Sequence, residues 1–213
     1  DLYRPYRPKR RTRATIAKEK GLEPLANLIL LQKMTVSPLE EAENYINPEK
    51  EVSTAEDALN GAKDILAESV SDNADFRTHI RELTMKHGQL LSAAKDPEAE
   101  SVYEMYYEFS ESLSKLAGHR ILAISRGEKE KFLTVKIDAP VDRILSYLDR
   151  KLITAPSAPT AAVLHEVTED AYNRLIAPAI EREIRNDLFE KAEDGAILSL
   201  IHISEPTRPI SIS

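Results

Sequence analysis

The stretch that decides the fold is residues 53–70, which read Ser53-Thr-Ala-Glu56-Asp-Ala-Leu59-Asn-Gly61-Ala62-Lys-Asp-Ile-Leu66-Ala-Glu-Ser-Val70. Ser53 followed three residues later by Glu56 is a capping box, which marks the start of a helix. The apolar residues that follow recur at spacings of three and four, so they share one helical face. They are Leu59, Ala62, Leu66 and Val70. Gly61 inside this helix indicates a close neighbour, so the stretch predicts an amphipathic helix packed tightly against another element.

The same signals recur on both sides of this stretch. Upstream, Ser37 is expected to cap a short helix that begins at Pro38 and has Glu40 in the capping-box position. Downstream, Asp72 is expected to cap a helix that Gly88 ends. Helices therefore flank the deciding stretch directly.

Further helices are predicted towards the carboxyl end. Asp96-Pro97 is expected to open one whose apolar residues are Val102, Met105, Tyr106, Phe109 and Leu113. Residues 141–152 carry another apolar stripe. A long helix is expected from residue 161 to about residue 193, kinked at Pro178 because proline lacks the amide hydrogen that a helix uses.

One short segment has the pattern of a strand. Phe132 to Ile137 alternates apolar and polar residues and is β-branched. Ile121 to Ile124, across a turn at Arg126-Gly127-Glu128, could be its partner strand, although a helix there is equally compatible with the sequence. We therefore predict a mainly all-α fold, an irregular multi-helix assembly with at most one small β element near residues 121–138.

Composition excludes several classes of protein. The chain has 213 residues, 42% of them hydrophobic and 31% charged, and no cysteine, which excludes disulfides, zinc–thiolate sites and thiol catalysis. The longest apolar stretch, Leu28 to Leu31, is far shorter than the roughly 20 residues that span a bilayer. We expect a cytoplasmic protein without a membrane partner.

The net charge of −7 hides a basic segment, residues 1–20. Its cations alternate with tyrosine and proline and could neutralise nucleic-acid phosphates. The candidate phosphate contacts are Arg4, Arg7, Lys9, Arg10, Arg11 and Arg13. Two alternatives compete with this interpretation: the segment docks on the acidic remainder of the same chain, or it is a solvated linker between helices.

Residues 198–213 do not continue the preceding helical pattern. Residues 198–208 match the translation of the mosaic-end and adapter DNA used in transposase-based sequencing libraries. We therefore expect 198–213 to be a non-native tail, and the native region, residues 1–197, to be a fragment truncated at both ends.

No constellation for catalysis is visible. A Gly-rich phosphate loop, a nucleophile elbow and a His-Glu-x-x-His motif are all missing from the sequence. His165-Glu166 with Glu169 lacks a second histidine one turn on, so a solvated helix face is the better interpretation, and His79 and His87 are also assigned to the surface. We expect no enzyme, no metal, no cofactor and no small-molecule substrate.

Four aromatic residues lie close together and could stack on bases: Tyr103, Tyr106, Tyr107 and Phe109. Core packing is the better interpretation for Tyr106 and Phe109, which fall on the predicted apolar stripe. For Tyr103 and Tyr107 the sequence predicts neither a core nor a surface position.

Four blocks of the sequence carry a family resemblance. They are Leu2 to Leu25, Ala58 to Glu68, His119 to Glu128, and Glu169 to Leu175 with Glu181 to Asp187. In this order, they resemble the Tex family of bacterial RNA-binding transcriptional accessory proteins. Ala117-Gly118 departs from the Pro-Ser that the family pattern has before His119-Arg120. Arg120 or Arg126 is expected to tie a carboxylate such as Glu128 across the turn, in preference to contacting nucleic acid.

The resemblance implies a large protein of which this chain is the helical N-terminal and central scaffold. The family's other parts are a RuvC/RNase H-like domain, helix-hairpin-helix motifs and an OB-fold, to which RNA binding is chiefly attributed. We therefore expect a non-catalytic helical scaffold whose partner in the full-length protein is nucleic acid, RNA or DNA, with RNA polymerase as a candidate partner. The alternative is a module that braces the RNase H-like and OB-fold domains or RNA polymerase without nucleic-acid affinity of its own.

Overall fold

The structure is a computed structural model that describes residues 11–204, and the side chains of residues 11–197. The chain forms two compact units, each built from two separate stretches of sequence. Unit 1 comprises Asp1–His79 and Val141–Pro178, and unit 2 comprises Ile80–Pro140 and Ala179–Ser213.

Unit 1 is helical and is organised around one long helix. Its helices are α1 (Arg13–Glu19), α2 (Glu23–Leu31), α3 (Pro38–Ala42), α4 (Ala55–Asp72), the start of α5 (Ala74–His87), α7 (Val141–Leu152) and α8 (Thr160–Asp170). Helices α1, α2, α3 and α8 all pack on α4. Ala62, Leu66 and Val70 of the predicted stripe are buried, whereas Leu59 is only partly buried and its neighbour Ala58 lies in the core. The predicted helix is therefore present and central to unit 1.

Two of the three predicted helix caps are displaced by one residue. Ser37 Oγ accepts from the Glu40 amide at 3.2 Å, as predicted. Helix α4, however, is capped by Thr54, whose Oγ1 accepts from the Asp57 amide at 3.1 Å, and α5 by Asn73. The predicted caps Ser53 and Asp72 are therefore wrong, because a neighbour with an equally suitable side chain lies at the position that the buried stripe requires.

The close neighbour predicted beside Gly61 is present. A Cβ atom at this position would lie 2.3 Å from Leu22 Cδ1 and 3.3 Å from Ala17 Cβ. Leu22 and Ala17 are themselves buried. The missing side chain of Gly61 therefore lets the α1–α2 connection lie directly on α4.

Gln32 ties the end of α2 to the end of α7. Its backbone is left-handed, with φ 57°, and its side chain is almost fully buried. The side-chain amide donates to the Leu152 carbonyl at 2.8 Å, and its oxygen accepts from the amides of Thr154 and Ala155 at 2.8 and 3.2 Å. One side chain thus satisfies three backbone groups near the carboxyl end of α7.

The long carboxyl-terminal helix is present, with an irregular turn. Helix α8 continues into a π-helical turn, Ala171–Ile176, and then into α9 (Ala177–Ser204). Pro178 cannot donate to the carbonyl four residues earlier, and the π turn lies just before it. The kink at Pro178 stays a prediction. Helix α9 includes residues 198–204, and the non-native origin of residues 198–213 stays a prediction.

Unit 2 contains a small antiparallel sheet. Its strands are β1 (Gln89–Ala94), β2 (Glu108–Ser112) and β3 (Leu133–Asp138), in the order β2-β1-β3. Leu90 of β1 pairs with Glu111 of β2 and with Ile137 of β3. Helix α6 (Gly118–Lys129) packs against β3 and buries Ile124.

The fold class is confirmed, but two details of unit 2 differ from prediction. The helix expected after Asp96-Pro97 is wrong: residues 95–107 form a loop with a 3₁₀ turn, Glu104–Tyr106, and then strand β2 follows. The partner of β3 is β1, and Ile121 to Ile124 lies in helix α6. The small β element therefore extends outside residues 121–138, because short strands with polar residues on both faces carry a weak sequence signal.

No described helix is both long and apolar enough to cross a membrane.

Candidate nucleic-acid interface

Two of the six predicted phosphate contacts can be placed. Arg4, Arg7, Lys9 and Arg10 lie outside the described residues. Arg11 precedes α1, and Arg13 is its first residue. Both are exposed.

Helix α1 holds these arginines in a fixed position on unit 1. Thr12 Oγ1 accepts from the Thr15 amide at 3.1 Å, and Thr15 Oγ1 accepts from the Thr12 amide at 2.7 Å. Thr12 Oγ1 also lies 3.1 Å from Glu68 Oε2 on α4. With Ala14 and Ala17 buried, the point at which the basic segment enters unit 1 is rigidly defined.

Arg11 forms an ion pair on the surface. Its Nη2 lies 2.6 Å from Glu19 Oε2, and the two side chains are 69% and 60% exposed. Such exposed pairs contribute about 0.2–1 kcal/mol and are screened by salt. A phosphate group can therefore compete with Glu19 for this arginine.

Arg13 and Lys20, two helical turns apart, line one wall of a cleft between α1 and α4. The cleft has a volume of about 280 Å³, and Glu51, Asp57 and Asp64 also line it. Positive and negative side chains therefore share this cleft, which is a less favourable surface for a polyanion than a purely basic one.

A charged network lies beside Arg13. Arg174 Nη2 is 2.8 Å from Asp170 Oδ2 and 3.8 Å from Asp64 Oδ1. The hydrogen bond from Arg174, with a smaller contribution from the charge of Arg13, holds the pKa of Asp170 below its usual value. Burial raises the pKa of Asp64, and the charges of Arg174 and Arg13 oppose that rise. Arg13 thus lies within electrostatic reach of carboxylates of its own chain.

His165 is more constrained than the solvated helix face that the sequence predicts. Its Nδ1 lies 2.7 Å from Asp149 Oδ2 and its Nε2 lies 3.0 Å from Glu169 Oε1, while half of the side chain is exposed. The hydrogen bond to Asp149 is the main cause that raises the pKa of His165. Among the described residues there is no cluster of three or more ligands that could hold a metal ion. His79, also assigned to the surface, stacks on Tyr147 with 4.0 Å between the ring centroids.

The predicted bracket in the third resembling block has different partners. Arg120 Nη1 lies 3.1 Å from Glu111 Oε2 on β2, whereas Glu128 pairs with Arg185 of α9. Arg120 therefore ties a carboxylate, as predicted, but Glu128 is not that carboxylate and the predicted turn is wrong, because residues 126–128 lie inside α6.

The aromatic residues pack in unit 2. Tyr106 is 5% exposed, which confirms its predicted core packing, and it forms an edge-to-face pair with Phe109, which is only partly buried. Tyr103 is also 5% exposed and lies against Phe132, and Tyr107 donates to the Ala99 carbonyl at 2.6 Å.

Residues 33–199 match the family model described as Tex central region-like. The chain belongs to the Tex family. It is 50% identical to the protein YdcI of Bacillus subtilis, over 92% of this chain and 28% of that protein. It is 38% identical to Protein tex of Bordetella pertussis, over 92% of this chain and 27% of that protein.

The chain is also similar to a human protein. The chain is 30% identical to the human S1 RNA-binding domain-containing protein 1, over 88% of this chain and 20% of that protein. The chain therefore spans about a fifth to a quarter of the length of these relatives.

The sequence analysis missed the network around Arg174. The signal that could have found it is the spacing of Asp170 and Arg174, because oppositely charged residues four apart face each other on a helix. Their contact with Asp64 joins residues 110 or so positions apart in the chain, and no local pattern predicts it.

Proposed function

We propose that this chain is the non-catalytic helical scaffold of a nucleic-acid-binding, specifically RNA-binding, transcription accessory protein of the cytoplasm. The observation that carries the proposal is the rigid entry of the basic segment into unit 1. Arg11 and Arg13 flank Thr12, which is tied both to its own helix and to Glu68. Membership of the Tex family and similarity to the human S1 RNA-binding domain-containing protein 1 support this function.

The basic segment binds the phosphate backbone by charge. Arg4, Arg7, Lys9, Arg10, Arg11 and Arg13 release counterions from the polyanion when they neutralise phosphates, so affinity falls as salt rises. Contacts of this kind position a protein on nucleic acid without reading its sequence. The contacts of Thr12 and α1 therefore fix the carboxyl-terminal part of the segment on unit 1, and the segment supplies the affinity.

The scaffold uses no cofactor, metal or small-molecule substrate. Its well-placed carboxylates are paired: Asp170 with Arg174, Asp149 with His165, and Glu128 with Arg185. Such ion pairs brace helices, and at Asp170 the hydrogen bond from Arg174 also lowers the pKa, which makes this carboxylate a poor general acid.

The second candidate is a bracing module for the RNase H-like and OB-fold domains, or for RNA polymerase, with no nucleic-acid affinity of its own. The ion pair between Arg11 and Glu19 favours it, as does the position of Arg13 beside Asp64 and Asp170. In this case the basic segment contacts acidic groups of its own chain.

A salt titration separates the two candidates. Binding of labelled single-stranded RNA and duplex DNA would be measured for the full chain and for a variant with alanine at the six cations of the basic segment. A slope of about −0.9 per phosphate is expected on duplex DNA and about −0.7 on single strands, so the variant should have a markedly flatter salt dependence.

A matched variant controls for net charge. Six exposed lysines of unit 2 can be replaced by alanine to remove the same charge elsewhere: Lys86, Lys95, Lys115, Lys131, Lys136 and Lys191. The nucleic-acid proposal requires the basic-segment variant to lose much more affinity than this control. Equal losses, or no measurable affinity of the starting chain, would support the bracing module instead.

A further inference from the structure

The loop between β1 and β2 exposes two apolar side chains at its tip. Val102 and Met105 are 84% and 72% exposed, the two largest values among the exposed large hydrophobic residues of the described chain. Met105 lies inside the 3₁₀ turn Glu104–Tyr106, and Val102 lies two residues before it. One short stretch of the loop therefore exposes both apolar side chains.

The inner side of the loop is firmly anchored. Tyr103 directly follows Val102, Tyr106 directly follows Met105, and each tyrosine is only 5% exposed. The Tyr103 hydroxyl donates to Glu130, and its ring lies 5.8 Å from Phe132. The Tyr106 carbonyl accepts from the buried Ser92 hydroxyl at 2.8 Å. The outward direction of Val102 and Met105 is therefore imposed by the buried rings beside them.

The base of the loop is closed by further hydrogen bonds. The Tyr107 hydroxyl donates to the Ala99 carbonyl at 2.6 Å and lies 2.8 Å from Ser101 Oγ. The Glu98 amide donates to Asp96 Oδ1 at 3.0 Å. Little ordering of this backbone is left to occur on binding, which lowers the entropy cost of an interaction.

The loop that carries the exposed pair is itself negatively charged, although Arg126 of α6 lies within electrostatic reach of Tyr103. Residues 95–108 contain one lysine and five exposed carboxylates, which are Asp96, Glu98, Glu100, Glu104 and Glu108. Such a surface repels phosphate groups, so it is unsuited to nucleic acid. It complements a partner whose apolar surface is bordered by lysine and arginine.

We propose that residues 95–108 dock a basic amphipathic helix of a partner protein. The apolar stripe of that helix covers Val102 and Met105, and its rows of cations meet the loop carboxylates. Methionine suits this role because its flexible, polarisable side chain adapts to an apolar partner. This interaction is independent of the nucleic-acid role, because it uses neither the basic segment nor unit 1.

The test uses the full chain and a Leu/Lys amphipathic helical peptide of about four turns as the probe. The chain has three methionines, Met34, Met85 and Met105, and labelling their methyl carbons gives three reporters for NMR. The peptide is expected to shift the Met105 resonance and to leave those of Met34 and Met85 in place. A shift confined to Met34, no shift at all, or a Met105 shift caused by a single-stranded RNA in place of the peptide would overturn the proposal.

Variants then identify the side chains responsible. Replacing Val102 by Ser together with Met105 by Gln is expected to weaken peptide binding by about tenfold, the effect of losing a central apolar anchor. The matched control is Leu31→Ser with Leu39→Gln, which changes two other exposed apolar residues and should alter affinity less than about twofold. Unchanged circular dichroism confirms folding, and equal losses in the two variants would refute the assignment.

A charge series completes the test. Replacing Glu98, Glu100 and Glu104 by Gln is expected to weaken binding and flatten its dependence on salt. The same change at the exposed residues Glu40, Glu43 and Glu49 of unit 1 removes equal charge and should leave affinity nearly unchanged. If the unit 1 variant loses as much affinity as the loop variant, the peptide senses only net charge, and the loop is not its docking site.

Discussion

Replacing Gly61 by Ala should destabilise the protein, although the same substitution inside a helix is ordinarily stabilising. Alanine is favoured over glycine by about 1 kcal/mol in a helix interior. At Gly61, however, the new Cβ would lie 2.3 Å from Leu22 Cδ1 and 3.3 Å from Ala17 Cβ. Carbon atoms in contact are ordinarily about 3.5–4.0 Å apart, so Leu22 would have to move.

The size of the effect follows from the burial of Leu22. This side chain is 1% exposed, so its Cδ1 can move only by displacing the neighbours that bury it or by shifting into the cleft that it lines. Inserting a methyl group into a packed core costs about 1–3 kcal/mol, which exceeds the helix-propensity gain of about 1 kcal/mol. We expect a net loss of about 1 kcal/mol in the free energy of unfolding and a fall of about 2–4 °C in the melting temperature.

Gly195→Ala is the matched comparison, because Gly195 lies in α9, is exposed and has no atom within 4 Å of its expected Cβ. This variant should raise the melting temperature by a similar amount. Both would be measured by thermal unfolding followed by far-ultraviolet circular dichroism. If Gly61→Ala stabilises the protein as Gly195→Ala does, the close contact of α4 with Leu22 is refuted. In a Leu22→Ala background, Gly61→Ala should raise the free energy of unfolding, because the Leu22 side chain no longer blocks the new Cβ.

Three further predictions concern the polar contacts of unit 1. Gln32→Ala leaves three backbone groups without their partner and should cost about 2–4 kcal/mol, measured by urea unfolding; a loss below about 0.5 kcal/mol would contradict the tie between α2 and α7. Because the pKa of His165 is raised, the stabilisation that its charged form provides is complete below about pH 6.5 and is lost as pH rises through the folded pKa. The difference in melting temperature between the wild type and His165→Gln should therefore shrink from about pH 5.5 to about pH 8.5. A difference that grows with pH would contradict this coupling. Because the pKa of Asp170 is lowered, its charged form stabilises the protein above the unfolded pKa of about 3.9, and this stabilisation is lost as pH falls through the folded pKa. Arg174→Met should therefore lower the free energy of unfolding most at neutral pH and least in acid. An equal loss at both pH values would show that Arg174 stabilises the protein by packing alone.

The helices that the sequence predicted well are those in which apolar residues recur at regular spacing over many residues. Residues 53–70 form the central helix, and residues 141–152 form α7 with the predicted bounds. Both present a buried stripe to several neighbours, so local propensity and packing agree. The small strand β3 was also predicted within one residue, because its alternation is regular.

The loop after β1 shows why other elements could not be predicted. Its apolar residues Val102, Met105 and Tyr106 have helical spacing, yet two of them are exposed and the third is buried. The choice is made by the pairing of β1 with β2 and by the contacts of Tyr103 with Phe132, which join distant parts of the chain. Such contacts override local spacing and leave no periodic signal.

The candidate site was only partly predictable for a similar reason. The positive charge of residues 1–20 is evident from composition alone. Arg13 has two acidic neighbours, Asp64 and Asp170, which come from two helices that are widely separated in sequence. Whether a basic segment faces solvent or carboxylates is therefore decided by tertiary structure.

The discontinuous make-up of the two units has a consequence for synthesis on the ribosome. All three strands of unit 2 lie within residues 89–138, so they emerge before α7 and α8, which unit 1 requires. Until residue 178 has been translated, the face of α4 that packs on α8 has no covering, and Leu66 and its neighbours are open to chaperones. The nascent chain thus carries an incomplete unit 1 after the strands of unit 2 have been synthesised, and a ribosome pause between residues 140 and 178 would prolong that vulnerable interval.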